Sequence, residues 1–242
     1  MEQESLNKKK GIVDIVFLID VTGSMQKCID ALKNNIGTLV DFMVNPGPNA
    51  ENVVKDWRIK VCGYRDAKAD GSQWWEEKPF RTDVTQVKAD LASLEAKGGG
   101  DEPESLLDGL WKVAKMESGA QGAQATESAW RDRHDAARCV IIFTDASTHM
   151  QTSIPEASGA TFEDVAIAVQ SNKLRISLYA PEAECYMNDF SQIDGLEYDR
   201  VGTLSGDAQA AMAEFSSHTE NFQKTIAQLA KSITQSAFTP SL

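Results

Sequence analysis

Three side chains that carry oxygen follow the most apolar stretch of the chain. Residues 11–19 are almost continuously apolar and β-branched, which predicts a strand buried on both faces of a parallel sheet. Asp20 ends this run, and Thr22 and Ser24 follow before apolar residues resume at helical spacing. A strand that turns directly into a helix directs these groups to one point beyond its carboxyl end, where open α/β sheets bind ligands. One carboxylate and two hydroxyls suit a hard cation such as Mg²⁺.

Other acidic residues stand at the ends of predicted elements. Asp66 follows a strand predicted at 57–64, Asp145 follows strand residues up to Thr144, and Asp101 lies in a glycine-rich turn before a helix. Parallel strands place their carboxyl ends on one side of the sheet, so these carboxylates can gather around one site. Carboxylates packed together repel one another, and a divalent cation is the usual compensation.

Strands alternate with helices along the whole chain. This alternation predicts an α/β fold with a doubly wound, mostly parallel sheet and helices on both faces. We expect a single domain over 11–236, between a charged tail at 1–10 and a short tail at 237–242. The predicted strands are 11–20, 57–64, 78–82, 138–144, 174–180 and 198–203; the predicted helices are 25–44, 83–96, 103–116, 162–172 and 184–192, with one or two more within 207–236.

Composition restricts the partners and the setting. The chain has 24 Lys and Arg against 36 Asp and Glu, a net charge of -12, which disfavours nucleic acids and anionic membranes as partners. The charged N-terminus lacks the apolar core of a signal peptide, and no apolar stretch is long enough to span a membrane. Four widely spaced cysteines without a CxxC pair predict a reducing, cytoplasmic setting.

The segment Asp20-Val21-Thr22-Gly23-Ser24, in its strand context, resembles the metal-ion-dependent adhesion site (MIDAS) of von Willebrand factor type A (vWA) domains. The family motif is Asp-x-Ser-x-Ser, followed by a Thr in a second loop and an Asp in a third. Thr22 replaces the first Ser but keeps the hydroxyl, and Asp145 matches the third-loop Asp. The resemblance implies a Rossmann-like vWA fold and a non-enzymatic binding module that holds Mg²⁺, or Mn²⁺ or Ca²⁺.

The second loop departs from that motif. Residues 98–104, Gly-Gly-Gly-Asp-Glu-Pro-Glu, are similar to an intracellular branch that includes vWA domains associated with α-kinases and bacterial tellurite-resistance-type proteins. An Asp at position 101 makes the site more anionic, and whether Asp101 binds the metal directly, through water or not at all is left open. The branch implies a partner in a phosphorylation-signalling or stress-response system, such as a kinase or phosphatase.

In the family, the metal is completed by a carboxylate of a partner protein. Mg²⁺ demands about six oxygens and loses its waters reluctantly. A site that offers three to five protein oxygens therefore leaves a position for an incoming acidic group. Such a site recognises a protein without catalysing a reaction.

Two other functions compete with this interpretation. Metal-dependent phosphohydrolases of the haloacid-dehalogenase type also begin with an apolar strand that ends in Asp. They use Asp-x-Asp, whereas Thr22 occupies the second place here and cannot shuttle a proton at neutral pH. The third interpretation is a vWA scaffold with a degenerate site, because Asp20, Thr22 and Ser24 are also good helix-capping residues.

Several residues near these motifs have two interpretations. Asp66 fits the metal site or a surface ion pair with Arg65. His149 fits the rim of the site or an ordinary loop position. Trp74 and Trp75 fit a partner-binding patch or internal packing.

Overall fold

The computed structural model describes residues 10–48, 50–99, 102–203 and 207–239. Asp101, one of the predicted metal ligands, lies outside the described residues. The strands are β1 Ile12–Asp20, β2 Asp56–Tyr64, β3 Trp75–Glu77, β4 Ala137–Phe143, β5 Leu174–Glu182 and β6 Leu196–Thr203. The helices are α1 Gln26–Val44, α2 Val84–Ala92, α3 Leu106–Lys115, α4 Phe162–Ser171, α5 Ala208–Ser217 and α6 Thr219–Phe238.

The strands form a six-stranded sheet in the order β3-β2-β1-β4-β5-β6. All neighbouring strands are parallel except β3, which pairs antiparallel with β2. The direction of strand succession reverses between β1 and β4, which makes their carboxyl ends the topological switch point of the sheet. The register pairs Ile19 with Phe143, so Asp20 and the residues after β4 lie side by side at that point.

Strand β1 is buried on both faces, as its apolar run predicts. Ile15, Phe17 and Ile19 belong to a core that includes side chains of α1, α2, α5 and α6. Val16 and Leu18 belong to a second core formed with α3 and α4. Helices therefore cover both faces of the sheet, and two cores fix the position of Asp20.

Asp14 is the exception within the apolar run of β1. Its carboxylate is fully buried and accepts hydrogen bonds from Nε of Arg58 at 2.9 Å and from Nε of Arg131 at 2.7 Å. The two guanidinium groups compensate a charge that would be costly to bury alone. Asp14 and Asp20 stand six residues apart on one strand, which separates this ion cluster from the switch point by roughly 20 Å.

Three predicted elements have a boundary that differs from the structure by three or more residues, each because of a contact distant in sequence. The edge strand lies at 75–77 rather than 78–82, since Trp75 pairs with Tyr64 of β2. Helix α2 ends at Ala92 rather than 96, and the chain returns to the switch point, where Lys97 N donates to Val21 O. Helix α3 begins at 106 rather than 103, because Glu104 forms a β-bridge with Thr148.

The C-terminal part of the chain follows the prediction more closely. The amphipathic stretch after Asp207 forms two helices, α5 and α6. The predicted helix at 184–192 is a π-helical turn, Cys185–Asp189, followed by a 3-10 turn, Phe190–Gln192. No helix in the described ranges combines the length and apolar character needed to cross a bilayer.

Candidate metal centre

Asp20 is held rigidly at the end of β1. Its side chain has no solvent exposure, and its Oδ1 accepts hydrogen bonds from the amide of Thr22 at 2.9 Å and the hydroxyl of Thr22 at 2.7 Å. Its Oδ2 accepts a hydrogen bond from the hydroxyl of Thr144 at 2.8 Å. A carboxylate has about four acceptor positions, so three hydrogen bonds orient Asp20 and leave one position.

Asp145 approaches Asp20 from the end of β4. It is 3% exposed, its carboxylate is hydrogen-bonded to the side chain of Ser24, and its Oδ2 is buried without a hydrogen-bond partner. Burial raises the pKa of Asp145 despite the Ser24 contact. Burial, and then the charge of Asp145, raise the pKa of Asp20 to about 6.

These contacts bring together four of the five predicted ligands, namely Asp20, Thr22, Ser24 and Asp145. Their oxygens are hard donors, and a buried carboxylate oxygen without a partner calls for a proton or a cation. The residues therefore fit a divalent metal ion. Within the described ranges, no three His, Cys, Asp or Glu side chains are grouped so that they could hold a metal by themselves, so the candidate centre depends on the hydroxyls as well.

Glu104 is a third buried carboxylate at this end of the sheet. It is 4% exposed, and its Oε2 is buried without a hydrogen-bond partner. Burial raises its pKa to about 8, and the charges of Asp20, Asp66, Asp70 and Asp145 act in the same direction. The carboxyl group thus shares one electrostatic environment with the candidate ligands.

Gly99 allows the second loop to pass close to Thr22. Its φ of +79° lies in the left-handed region that favours glycine. A Cβ at this position would lie 2.7 Å from Cγ2 of Thr22 and 2.9 Å from Oε1 of Glu104. Only a residue without a side chain fits between these two groups.

Asp66 is buried beside the candidate centre rather than paired with Arg65. Its Oδ1 accepts hydrogen bonds from the amide of Lys68 at 2.9 Å and the hydroxyl of Ser105 at 3.3 Å. Nε2 of His149 lies 3.8 Å from the same oxygen, and burial lowers the pKa of His149. These contacts orient Asp66 toward the loop before α3.

Arg65 points away from Asp66 and stabilises the chain segment that leads into the second loop, residues 98–104. Its guanidinium donates to the carbonyl oxygens of Gln73, Glu95 and Lys97 at 2.7–2.8 Å. It also lies 3.7 Å from Glu76. The surface ion pair considered for Arg65 and Asp66 is therefore replaced by contacts that hold the loop against the sheet.

The two tryptophans at the edge of the sheet differ in exposure. Trp74 is 9% exposed and packs in the second core, with its ring centroid 5.5 Å from that of Trp75. Trp75 is half-buried, and Nζ of Lys112 lies 5.5 Å from its ring centroid. Internal packing thus accounts for Trp74.

Two residues of this region were not among the predicted site residues. Thr144 precedes Asp145 directly. Its position at the end of a predicted buried strand is the sequence signal by which Thr144 could have been predicted as a site residue. Glu104 belongs to the glycine-rich segment that carries the resemblance, but its burial depends on a loop more than 40 residues away in sequence. No local pattern reveals that contact.

No protein-family model matches the chain, and no curated protein sequence matches it. Solved structures do resemble the fold. Proximal thread matrix protein 1 (PTMP1) from the mussel byssus, in a structure with a zinc-occupied MIDAS motif, has a TM-score of 0.51 and 15% identity, over 89% of this chain and 49% of that chain. The pilus adhesin SpaC from Lactobacillus rhamnosus GG has a TM-score of 0.51 and 14% identity, over 92% of this chain and 32% of that chain.

The chain spans about half the length of the PTMP1 chain and about a third of the SpaC chain. At such low identity the likeness concerns the fold alone. The strand order of this chain and the helices on both faces of its sheet are those of a doubly wound α/β fold. The predicted fold class is thereby confirmed: the chain has a vWA-like α/β fold.

Proposed function

We propose that this chain is a non-enzymatic, divalent-cation-dependent protein-binding module. Asp20, Thr22, Ser24 and Asp145 would hold the cation, with Asp101 as a further ligand that binds directly or through water. A carboxylate of a partner protein would complete the coordination. The observation that carries this proposal is the buried Oδ2 of Asp145, which has no hydrogen-bond partner and belongs to a group close enough to raise the pKa of Asp20.

The donor set favours Mg²⁺, with Mn²⁺ and Ca²⁺ as alternatives. Hydroxyl and carboxylate oxygens suit these hard cations, whereas thiols and imidazoles select softer ones. When bound, the cation supplies a positive charge and a coordination position open to an acid. A MIDAS motif occupied by zinc in the PTMP1 structure supports metal binding by this fold in general.

The contacts of Asp20 argue against the phosphohydrolase alternative. A nucleophilic carboxylate must reach a phosphorus atom, but Asp20 is fully buried and both of its oxygens accept hydrogen bonds. The position of the general acid is occupied by Thr22, whose hydroxyl donates to Asp20 at 2.7 Å. The carboxylate of Asp20 therefore accepts hydrogen bonds from the hydroxyls of Thr22 and Thr144 and is not placed to attack a substrate.

The partner and its setting are proposed from the resemblance alone. We infer a cytoplasmic protein that presents an exposed Asp or Glu, such as a kinase or phosphatase of a signalling or stress-response system. The net charge of -12 opposes the approach of most acidic surfaces, so the metal would provide a local positive contact. This arrangement makes the cation necessary for recognition.

Affinity capture from the native cell lysate tests this function. The wild-type domain in Mg²⁺ should retain a partner that EDTA releases and that Asp145→Asn fails to retain. Asp30→Asn removes the same charge from a partly exposed position on α1 and should retain the partner. Capture that is identical with Mg²⁺ and with EDTA would contradict a metal-dependent mode of binding.

A further inference from the structure

A cleft lies between the edge strand β3 and helix α3, on the face of the sheet that carries the second core. Its volume is about 360 Å³, within the range of roughly 300–1,000 Å³ that small-molecule sites occupy. Trp75 of β3 and Trp111 of α3 line the cleft, and both side chains are half-buried. Lys60 lines it from β2, four residues before Tyr64 and therefore roughly 13 Å from the strand end at the candidate metal centre. The cleft is thus separate from that centre.

Lys60 is a buried cation in this cleft. Strand β2 has two buried basic side chains, and that of Arg58 pairs with Asp14, which is buried with it. The side chain of Lys60 is 4% exposed, whereas that of Glu77, 3.2 Å away, is 52% exposed. Nζ of Lys60 also donates to the carbonyl of Lys78 at 2.7 Å, but an ammonium group has three donors. The charge of Lys60 is therefore less well compensated than that of Arg58, and an anion in the cleft would complete the compensation.

Two further donors belong to the same cleft. Nζ of Lys112 lies 5.5 Å from the ring centroid of Trp75. Nε1 of Trp75 is buried and has no hydrogen-bond partner among the residues that the structure describes. A buried N–H group without an acceptor is costly, and an acceptor from outside the chain would remove this cost.

The electrostatics of Cys62 show that the two lysines act on one place. Cys62 lines the cleft and is fully buried. Burial raises the pKa of its thiol to about 12, and the charges of Lys60 and Lys112 both oppose this increase. Both ammonium groups therefore lie near the same buried residue, where one anion could meet both.

The acidic residues of the cleft are on its exposed side. The side chains of Glu77 and Glu156 are about half exposed, and Glu117 is exposed. The buried part of the cleft thus carries hydrogen-bond donors, while the exposed part carries negative charge. A carboxylate has a single negative charge and suits these donors, whereas a phosphate group with up to two charges would be repelled more strongly by the three acids.

We propose that this cleft binds a small aromatic carboxylate. The ring of the ligand would pack against Trp75 and Trp111, because aromatic pairs stabilise a contact beyond the area that they bury. The carboxylate would accept hydrogen bonds from Lys60 and Lys112, with Nε1 of Trp75 as a further donor. This binding site goes beyond the proposed metal-dependent recognition and does not need the cation.

The test uses cinnamate as the probe, added to the full chain in EDTA and followed by proton–nitrogen correlation NMR of the indole N–H groups. The chain has five tryptophans, and Trp75→Phe identifies the signal of Trp75. At millimolar cinnamate this signal should move downfield, because the N–H group gains an acceptor. The signal of Trp57, which packs against the core on the opposite face of β2, should not move.

Three variants locate the anion. Lys60→Met removes the buried ammonium group and keeps most of the side-chain volume, so cinnamate affinity should fall roughly tenfold or more, as expected for the loss of one charge-assisted hydrogen bond. Lys112→Met should weaken binding less, because this side chain is partly exposed. Lys88→Met removes an exposed charge from α2, which packs on the opposite face of the sheet, and should bind as the wild type does. An unchanged Trp57 signal shows that each variant is folded.

Two other probes test the chemistry of the ligand. Cinnamamide has the same shape without the charge and should bind roughly tenfold more weakly than cinnamate. Phenyl phosphate should also bind more weakly, and tighter binding of phenyl phosphate than of cinnamate would overturn the assignment to a carboxylate. Equal binding of cinnamate and cinnamamide, or an unmoved Trp75 signal, would overturn the proposal.

Unchanged cinnamate affinity in both Lys60→Met and Lys112→Met would likewise overturn it, since the carboxylate would then be held elsewhere. All of these measurements are made in EDTA. Their failure would therefore leave the proposed metal centre unaffected, and failure of the metal centre would leave the cleft unaffected.

Discussion

The hydroxyl of Thr144 donates a hydrogen bond to Oδ2 of Asp20 over 2.8 Å and thereby joins the ends of β4 and β1. These two strands flank the point where strand succession reverses in the sheet. The contact orients one carboxylate while the adjacent Asp145 keeps an oxygen without a partner. The carboxylate of Asp20, which hydrogen bonds hold in place, thus lies beside the carboxylate of Asp145, which has an oxygen without a hydrogen-bond partner. A cation site requires such an arrangement.

Thr144→Val should weaken this site with little change in shape. The variant removes a hydrogen bond to a buried carboxylate, a contact worth about 1.5–3 kcal/mol. We expect the free energy of unfolding in EDTA to fall by an amount in that range and Mn²⁺ affinity to fall as well. Urea unfolding and calorimetric titration measure the two effects. Thr234→Val in α6 is the matched control and should leave Mn²⁺ affinity unchanged.

Gly99→Ala should impair the site through steric contact. The added methyl group would lie 2.7 Å from Cγ2 of Thr22, so Thr22 must shift. We expect lower thermal stability and weaker Mn²⁺ binding. Gly122→Ala is a close control, because Gly122 has a similar φ of +75° and no neighbour within 4 Å of an added Cβ.

In Gly122→Ala, the free energy of unfolding should fall only by the backbone strain of a residue in the left-handed region, about 1–2 kcal/mol. Its Mn²⁺ affinity should equal that of the wild type. Equal Mn²⁺ affinities in Gly99→Ala and Gly122→Ala would show that the second loop does not position Thr22.

The stability of the chelated protein should fall as pH rises from about 4 to about 8. Asp20 has a folded pKa of about 6 against an ordinary 3.8, and Glu104 one of about 8 against 4.5. Because the folded state binds these protons more tightly than the unfolded chain does, raising the pH favours unfolding in this range. Melting temperatures in EDTA measure the slope.

Glu104→Gln should remove much of the decline between pH 6 and 8, and saturating Mg²⁺ should reduce it in the wild type. The comparison between the wild type and this variant cancels the contribution of other titrating groups. A decline of equal size in both proteins would show that Glu104 does not titrate as its burial implies.

Arg58→Met should affect stability without affecting the site. It leaves Asp14 buried with one guanidinium partner fewer, and breaking a buried ion pair costs roughly 3–5 kcal/mol. Arg131 remains beside Asp14, so the lower part of that range is expected. Chemical denaturation measures the loss. Since Asp14 and Asp20 lie near opposite ends of β1, Mn²⁺ affinity of the folded variant should be unchanged.

The sequence predicts those features of the site that local patterns and strand direction determine. The apolar run before Asp20 requires burial on both faces, and parallel strands then bring Asp145 to the same end of the sheet. The start of α3 and the position of Glu104 depend instead on pairing with Ser147 and Thr148. Such contacts between distant segments leave no periodic signal in the chain.

The edge strand is a second case in which a contact distant in sequence, rather than a local pattern, decides the structure. Local composition predicts a strand at 78–82, but β3 forms where Trp75 pairs with Tyr64. Arg81 makes only an isolated bridge with Ile59. Tertiary pairing, rather than local preference, decides which short segment becomes an edge strand.

The proposed metal centre is tested most directly by isothermal titration calorimetry, in which Mn²⁺ is titrated into the chelator-treated domain. The proteins compared are the wild type, Asp145→Asn and Asp30→Asn. One Mn²⁺ should bind to the wild type and to Asp30→Asn with equal affinity, and binding to Asp145→Asn should be weaker by roughly tenfold or more. Equal Mn²⁺ affinity in all three proteins, or absence of binding to the wild type, would contradict a cation held between Asp20 and Asp145.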